Sequence, residues 1–135
     1  MTTVRLIEYD EAGPEVRAVY DAIMAARGTD WVNNFWKALA VHPPTLRRTW
    51  EAVQAVMAPG ALDVLTKEML YLAVSVAHNC EYCIHSHTAS ARRAGMNDAM
   101  YGELLAVVGM ASETNSFANA TRVPVDGRFL VEPKA

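Results

Sequence analysis

The chain's two cysteines stand close together, as Cys80-Glu81-Tyr82-Cys83, with His87 four positions beyond the second and Glu68 twelve positions ahead of the first. A thiol reacts as its thiolate, and an ordinary thiol pKa of about 8.5 falls beside an imidazolium or at a helix N-terminus. In one continuous helix Cys83 and His87 lie about 40° apart and Cys80 about 60° from Cys83, so the three side chains share a face. Ser90, Ala91 and Ala94 continue that face with small groups, which lets another helix come close. Glu81, His85 and Arg92 fall on the opposite side. Glu68 belongs to the preceding helix, at the edge of its apolar stripe. Antiparallel packing would bring its carboxylate to the cysteine helix, where it can orient or protonate His87 directly or through water.

A CxxC pair served in this way points to thiol redox chemistry. Two other readings start from the same residues. His78, Cys80, Cys83, His85 and His87 offer five candidate zinc ligands within ten positions, which would make a zinc-binding or metal-sensing protein. A continuous helix points His85 away, but His78 could complete a set with Cys80, Cys83 and His87. The plainer reading, two thiols buried as small apolar groups, loses ground because His87 and Glu68 accompany them. The redox reading needs neither metal nor cofactor. His42 reads as a helix-end residue, and Trp31, Trp36 and Trp50 as core or subunit contacts.

The elements that must position these residues are legible as helices. Gly13-Pro14 opens a helix with Val16, Val19, Tyr20 and Ile23 on one face and Gly28 as its stop. A short helix through Phe35, Ala38, Leu39 and His42 ends at Pro43-Pro44, which start the next, with Leu46, Trp50, Val53 and Met57 inward until Pro59-Gly60. From Leu62 to Ala77 the stripe Leu62, Leu65, Met69, Leu72, Val76 predicts a strongly amphipathic helix whose apolar face is core. Asn79 can cap the cysteine helix, which Gly95 closes. Asn97-Asp98 can cap a last long helix that Gly102 and Gly109 weaken without dividing. The end, RVPVDGRFLVEPKA, reads as an extended tail. Six helices and no alternating strand pattern predict an all-α fold, one compact domain over residues 1–135. They exclude a thioredoxin fold, where CxxC sits at a strand-to-helix junction.

Composition narrows the function further. The 135 residues, 52% of them hydrophobic, suit one core. Twelve Lys and Arg against 15 Asp and Glu leave a formal net charge of -3, with no basic stripe for phosphates, so nucleic acid is not expected as a partner. No apolar run approaches the roughly 20 residues that span a bilayer, and MTTVRLIEYDEAG is too acidic and interrupted for a signal peptide. The expectation is a cytoplasmic protein, in a compartment where a lone CxxC is catalytic or metal-binding more often than a staple.

At Glu68, Cys80, Cys83 and His87 the chain resembles the AhpD-like alkylhydroperoxidases of the carboxymuconolactone decarboxylase superfamily, whose pattern is a Glu twelve positions ahead of a CxxC with a His four beyond it. The resemblance extends over NNFWKALAVHPPTLRRTWEAV and the later AGM and VPVD segments, roughly residues 30 to 126. It implies an AhpD-like fold in which Cys83 attacks a small peroxide, Cys80 resolves it as a disulfide, and His87 acts as base with Glu68 behind it. A thiol or dithiol reductant of unspecified identity would return the pair to thiols. The chain departs from the best-studied branch at Tyr82, where that branch has a His between the cysteines. A decarboxylase of the kind that names the superfamily usually lacks the CxxC pair and needs cationic anchors for a lactone acid. The cysteines therefore argue against that activity.

A homo-oligomer is expected. Trp31, Phe35, Trp36, Trp50, Phe117 and Phe129 are more large apolar residues than six short helices easily cover, and the tail has no helix of its own to join. The resemblance implies dimers, trimers or hexamers, and a hexamer built as a trimer of dimers is favoured.

Overall fold

The computed structural model describes residues 1–133; Lys134 and Ala135, the end of the expected tail, lie outside the described residues. The fold is all-α. Six α-helices run in order, α1 (Pro14–Arg27), α2 (Asn34–Leu39), α3 (Pro43–Met57), α4 (Val64–Ala77), α5 (Glu81–Arg93) and α6 (Asp98–Thr121), with no strand among the described residues. Short 3-10 turns stand at Tyr9–Glu11 and Gly127–Phe129. The chain forms two compact units, Met1–Ala58 and Pro59–Ala135.

In the first unit Pro14 pre-sets the opening turn of α1, and Gly28 closes it at φ 62°, a left-handed conformation that costs a glycine little. The face predicted for α1, Val16, Val19, Tyr20 and Ile23, is buried, and Trp36 from α2 with Leu46 and Trp50 from α3 completes the core. The Trp36 and Trp50 rings meet edge to face at 5.4 Å. Such a pair adds about 0.5–1.5 kcal/mol beyond the area it buries. The Arg27 guanidinium lies over both rings, 5.7 and 5.5 Å from their centres. Tyr20, wholly buried, donates its hydroxyl to the Ile7 carbonyl at 2.8 Å. Burial, helped by the Glu8 charge, pushes its phenol up to about 12. Trp31 differs from the other two tryptophans, with 59% of its surface exposed.

In the second unit Asp63 caps α4 by accepting the Thr66 N–H at 2.7 Å, and that bond, with one from the Thr66 side chain, holds its carboxyl below the usual range. The helix therefore starts two residues later than the stripe suggests, and Leu62 lies before it, exposed. The rest of the stripe is inward. Leu72 is fully buried with Ala91, Met96 and Leu104, and Leu65, Met69 and Val76 pack around them. Burying a leucine fully contributes about 1.5–3 kcal/mol, so Leu72 fixes how α4 seats against α5 and α6. Asn97 caps α6 through the Met100 N–H at 2.9 Å. Gly102 and Gly109 leave that helix continuous over its 24 residues. Beyond Val108 its side chains are exposed, as are those of residues 122–133.

Candidate active site

The site grows from the connection between α4 and α5. His78 ends α4, Asn79 adopts the left-handed conformation at φ 54°, and Cys80 caps α5. Reversing a helix in three residues needs one left-handed position, which asparagine tolerates better than most residues. That use of Asn79 passes the capping role expected of it to Cys80. The Cys80 N–H donates to the Ser75 carbonyl at 3.0 Å, and its sulfur accepts the Cys83 N–H at 3.3 Å. Cys80 thus stands one place outside the helix, so the angle reckoned for it along a continuous helix does not apply. The two cysteines meet through this cap geometry: they form a disulfide with their Cα atoms 5.3 Å apart, inside the usual span. Both are half-buried.

One turn after Cys83, on the same face of α5, stands His87. Its Nδ1 lies 2.7 Å from Glu68 Oε2, the two side chains retaining 19% and 14% of their exposure. A carboxylate can only accept, so the Nδ1 side carries the proton and Nε2 is left as the acceptor nitrogen of the ring. The carboxylate of α4 and the imidazole of α5 meet because the connection folds the two helices into a packed hairpin. The structure therefore brings Cys80 to Cys83 and His87 to Glu68. Glu81, Tyr82, His85 and Arg92 are exposed, Tyr82 at 42%. His78 is exposed at the end of α4. Among the described residues no three His, Cys, Asp or Glu side chains gather closely enough to hold a metal ion.

Two neighbours escaped the sequence reading. The Tyr71 ring stacks on the His87 imidazole, centres 3.7 Å apart and planes 21° from parallel. Ser75, buried in α4, donates its hydroxyl to the Tyr71 carbonyl at 2.8 Å. A signal for Tyr71 was available, since it follows Glu68 by three positions and, like His87, lies eight residues from Asn79. In a helical hairpin turning at Asn79 those two positions face each other.

Comparison with known proteins places this arrangement among relatives. The sequence model of the carboxymuconolactone decarboxylase family matches residues 43–126, which include α3 to α6 and the whole site. The crystal structure of an alkylhydroperoxidase AhpD core from Rhodospirillum rubrum is 54% identical, superposes with a TM-score of 0.93, and covers 98% of this chain and 99% of that one. An uncharacterized protein of the cox locus of Paracoccus denitrificans is 32% identical over 69 residues, which span 51% of this chain and 62% of that relative's length.

Proposed function

The chain belongs to the carboxymuconolactone decarboxylase family, and from that premise we propose that it is a thiol-dependent peroxidase reducing alkyl or hydrogen peroxides through Cys80 and Cys83. The observation that carries the reading is the Glu68 to His87 hydrogen bond beside a cysteine pair that is already disulfide-bonded. It is the base-plus-orienter arrangement of an activated nucleophile. The likeness to an alkylhydroperoxidase core at 54% identity supports peroxide as the oxidant.

In the proposed cycle His87 Nε2 takes the Cys83 proton, while Glu68 holds the ring and balances the imidazolium through Nδ1. The Cys83 thiolate attacks the terminal oxygen of ROOH, the O–O bond breaks, and the leaving alkoxide takes the proton held by the His87 imidazolium to depart as ROH. Cys83 is then a sulfenic acid. Cys80 attacks that sulfur as a thiolate, the S–O bond breaks, water leaves, and the disulfide forms. Its place as the N-cap of α5, with the sulfur accepting the Cys83 N–H, sets it at the positive end of that helix, where a thiolate is favoured. A thiol or dithiol reductant supplies two electrons to reopen the disulfide. We place this cycle in the cytosol, where such reductants are kept reduced. Among the described residues no helix is long and apolar enough to cross a membrane.

The same reading includes self-association, with a hexamer as a trimer of dimers favoured. Leu105, Val107, Met110 and Phe117 of α6 and Phe129, Leu130 and Val131 of the tail are exposed in the single chain, more apolar surface than a monomer ordinarily leaves uncovered. Light scattering after size exclusion tests it, and a monodisperse monomer at micromolar concentration contradicts it. The catalytic reading is tested by adding peroxide to reduced protein and following alcohol formation. Bound zinc with no turnover would favour the metal-binding alternative, and turnover of a lactone acid the decarboxylase one.

A further inference from the structure

Glu68 alone does not define where His87 points. One hydrogen bond at Nδ1 resists stretching along its own length far more than the sideways displacement of Nδ1 that rotation about the Cβ–Cγ bond produces, so the plane of the imidazole can still rock. That motion carries Nε2 out of line with whatever proton it is to receive. The Tyr71 ring lies against one face of the imidazole with centres 3.7 Å apart and planes 21° from parallel. At that separation the two rings are in van der Waals contact, so any rotation of the imidazole out of its plane drives its edge into the tyrosine. Glu68 restrains the ring in its plane and Tyr71 restrains it perpendicular to that plane. Both come from α4, three residues apart, and so move as one body.

The restraint is tied to the cysteines as well. The Tyr71 carbonyl accepts the Ser75 hydroxyl at 2.8 Å, and the Ser75 carbonyl accepts the Cys80 N–H at 3.0 Å. Ser75 is 4% exposed, and its two bonds join the turn carrying Tyr71 to the residue that caps α5. From these contacts we infer that Tyr71 is a positioning residue for the proposed thiol chemistry, setting the plane of the His87 imidazole through its ring face, with Ser75 linking its turn to Cys80. The inference rests on the peroxidase reading for its rate consequence, but not for its geometry. The tyrosine hydroxyl has no part in it.

Because only the aromatic face acts, Tyr71→Phe should keep the function and Tyr71→Leu should lose it. In the full-length reduced protein, single-turnover oxidation by an alkyl hydroperoxide should slow by at least about tenfold in Tyr71→Leu, since a small misplacement of a catalytic group is costly. Tyr71→Phe should stay within about twofold of the parent protein. The His87 ring protons should show the ring-current shift of a stacked aromatic in the parent and in Tyr71→Phe, and lose it in Tyr71→Leu. Thermal unfolding of each variant separates loss of the fold from loss of placement. Equal slowing in both variants would overturn the inference by giving the role to the hydroxyl, and an unchanged rate or imidazole shift in a folded Tyr71→Leu would overturn it outright. Should the parent protein not react with peroxide, the peroxidase reading fails, while the imidazole shifts still decide the role of Tyr71.

Discussion

Replacing Glu68 with glutamine keeps the side chain's length and its hydrogen-bonding reach toward His87 Nδ1 but removes the charge. At 2.7 Å between half-buried partners the native contact is a charge-assisted bond when His87 holds the transferred proton, and such bonds are roughly twice as strong as neutral ones. A hydrogen bond to a charged group contributes about 1.5–3 kcal/mol and a neutral one about 1 kcal/mol. The difference, about 0.5–2 kcal/mol, is felt in the proton-transfer step and corresponds to a roughly two- to thirtyfold slower attack by Cys83 at neutral pH. The assay is stopped-flow oxidation of reduced Glu68→Gln and the parent protein by excess alkyl hydroperoxide, at pH 7 and again near pH 9.5. An ordinary thiol is largely ionised at the higher pH without help from a base, so the defect should shrink there to within about twofold. A defect of the same size at both pH values would assign Glu68 to packing and refute the reasoning. No defect at either would show that the hydrogen bond is not used.

Cys83→Ser should abolish reaction with peroxide, whereas Cys80→Ser should leave a sulfenic acid trappable by a carbon nucleophile such as dimedone and visible by mass; the opposite pattern would reverse the two roles. Leu72→Ala should destabilise the chain by about 2–5 kcal/mol in urea unfolding, because the side chain is fully buried where α4 seats against its neighbours, and a loss under 1 kcal/mol would contradict that placement. Tyr20 gives a pH signature. Its folded pKa of about 12 stands above the unfolded value of 10, so its contribution is complete below pH 10 and is lost as pH rises through 12. Tyr20→Phe should be less stable below pH 10 by the lost bond to Ile7, roughly 1 kcal/mol, and the gap to the parent protein should narrow between pH 10 and 12 in chemical denaturation. A constant gap would count against a buried phenol.

Most of the helical architecture was legible because its signals are local. Pro14, Pro43 and Gly28 act within one turn, and the apolar faces of α1 and α4 repeat at the helical period, so the buried apolar residues of both could be read directly, whereas the buried Ser75 of α4 could not. The α4 to α5 connection was less legible. Asn79 is equally suited to capping and to a left-handed turn, and only the need to reverse direction within three residues decides between them. That choice moved Cys80 out of the helix and made its sulfur the cap. The Glu68 to His87 contact was foreseeable as a possibility from the hairpin, while its distance depends on how Leu72 and Ala91 pack. Tyr71 is not singled out by its residue type, and its ring contact with His87 is set by tertiary structure. The exposed half of α6 carries no local mark at all. Past Gly109 its large apolar residues are only Met110 and Phe117, with five polar residues from Ser112 to Ser116 between them, too few to say which face is covered within one chain.

In the proposed function the cysteine pair passes electrons to a peroxide. That transfer is tested most directly by reducing the full-length protein, removing the reductant, and adding one equivalent of an alkyl hydroperoxide while free thiols, alcohol product and released zinc are measured together. The chain's two thiols should disappear as an intramolecular Cys80–Cys83 disulfide while one alcohol forms for each disulfide. Thiols that persist beside unconsumed peroxide, or that become free only as zinc is released, would contradict the proposed function.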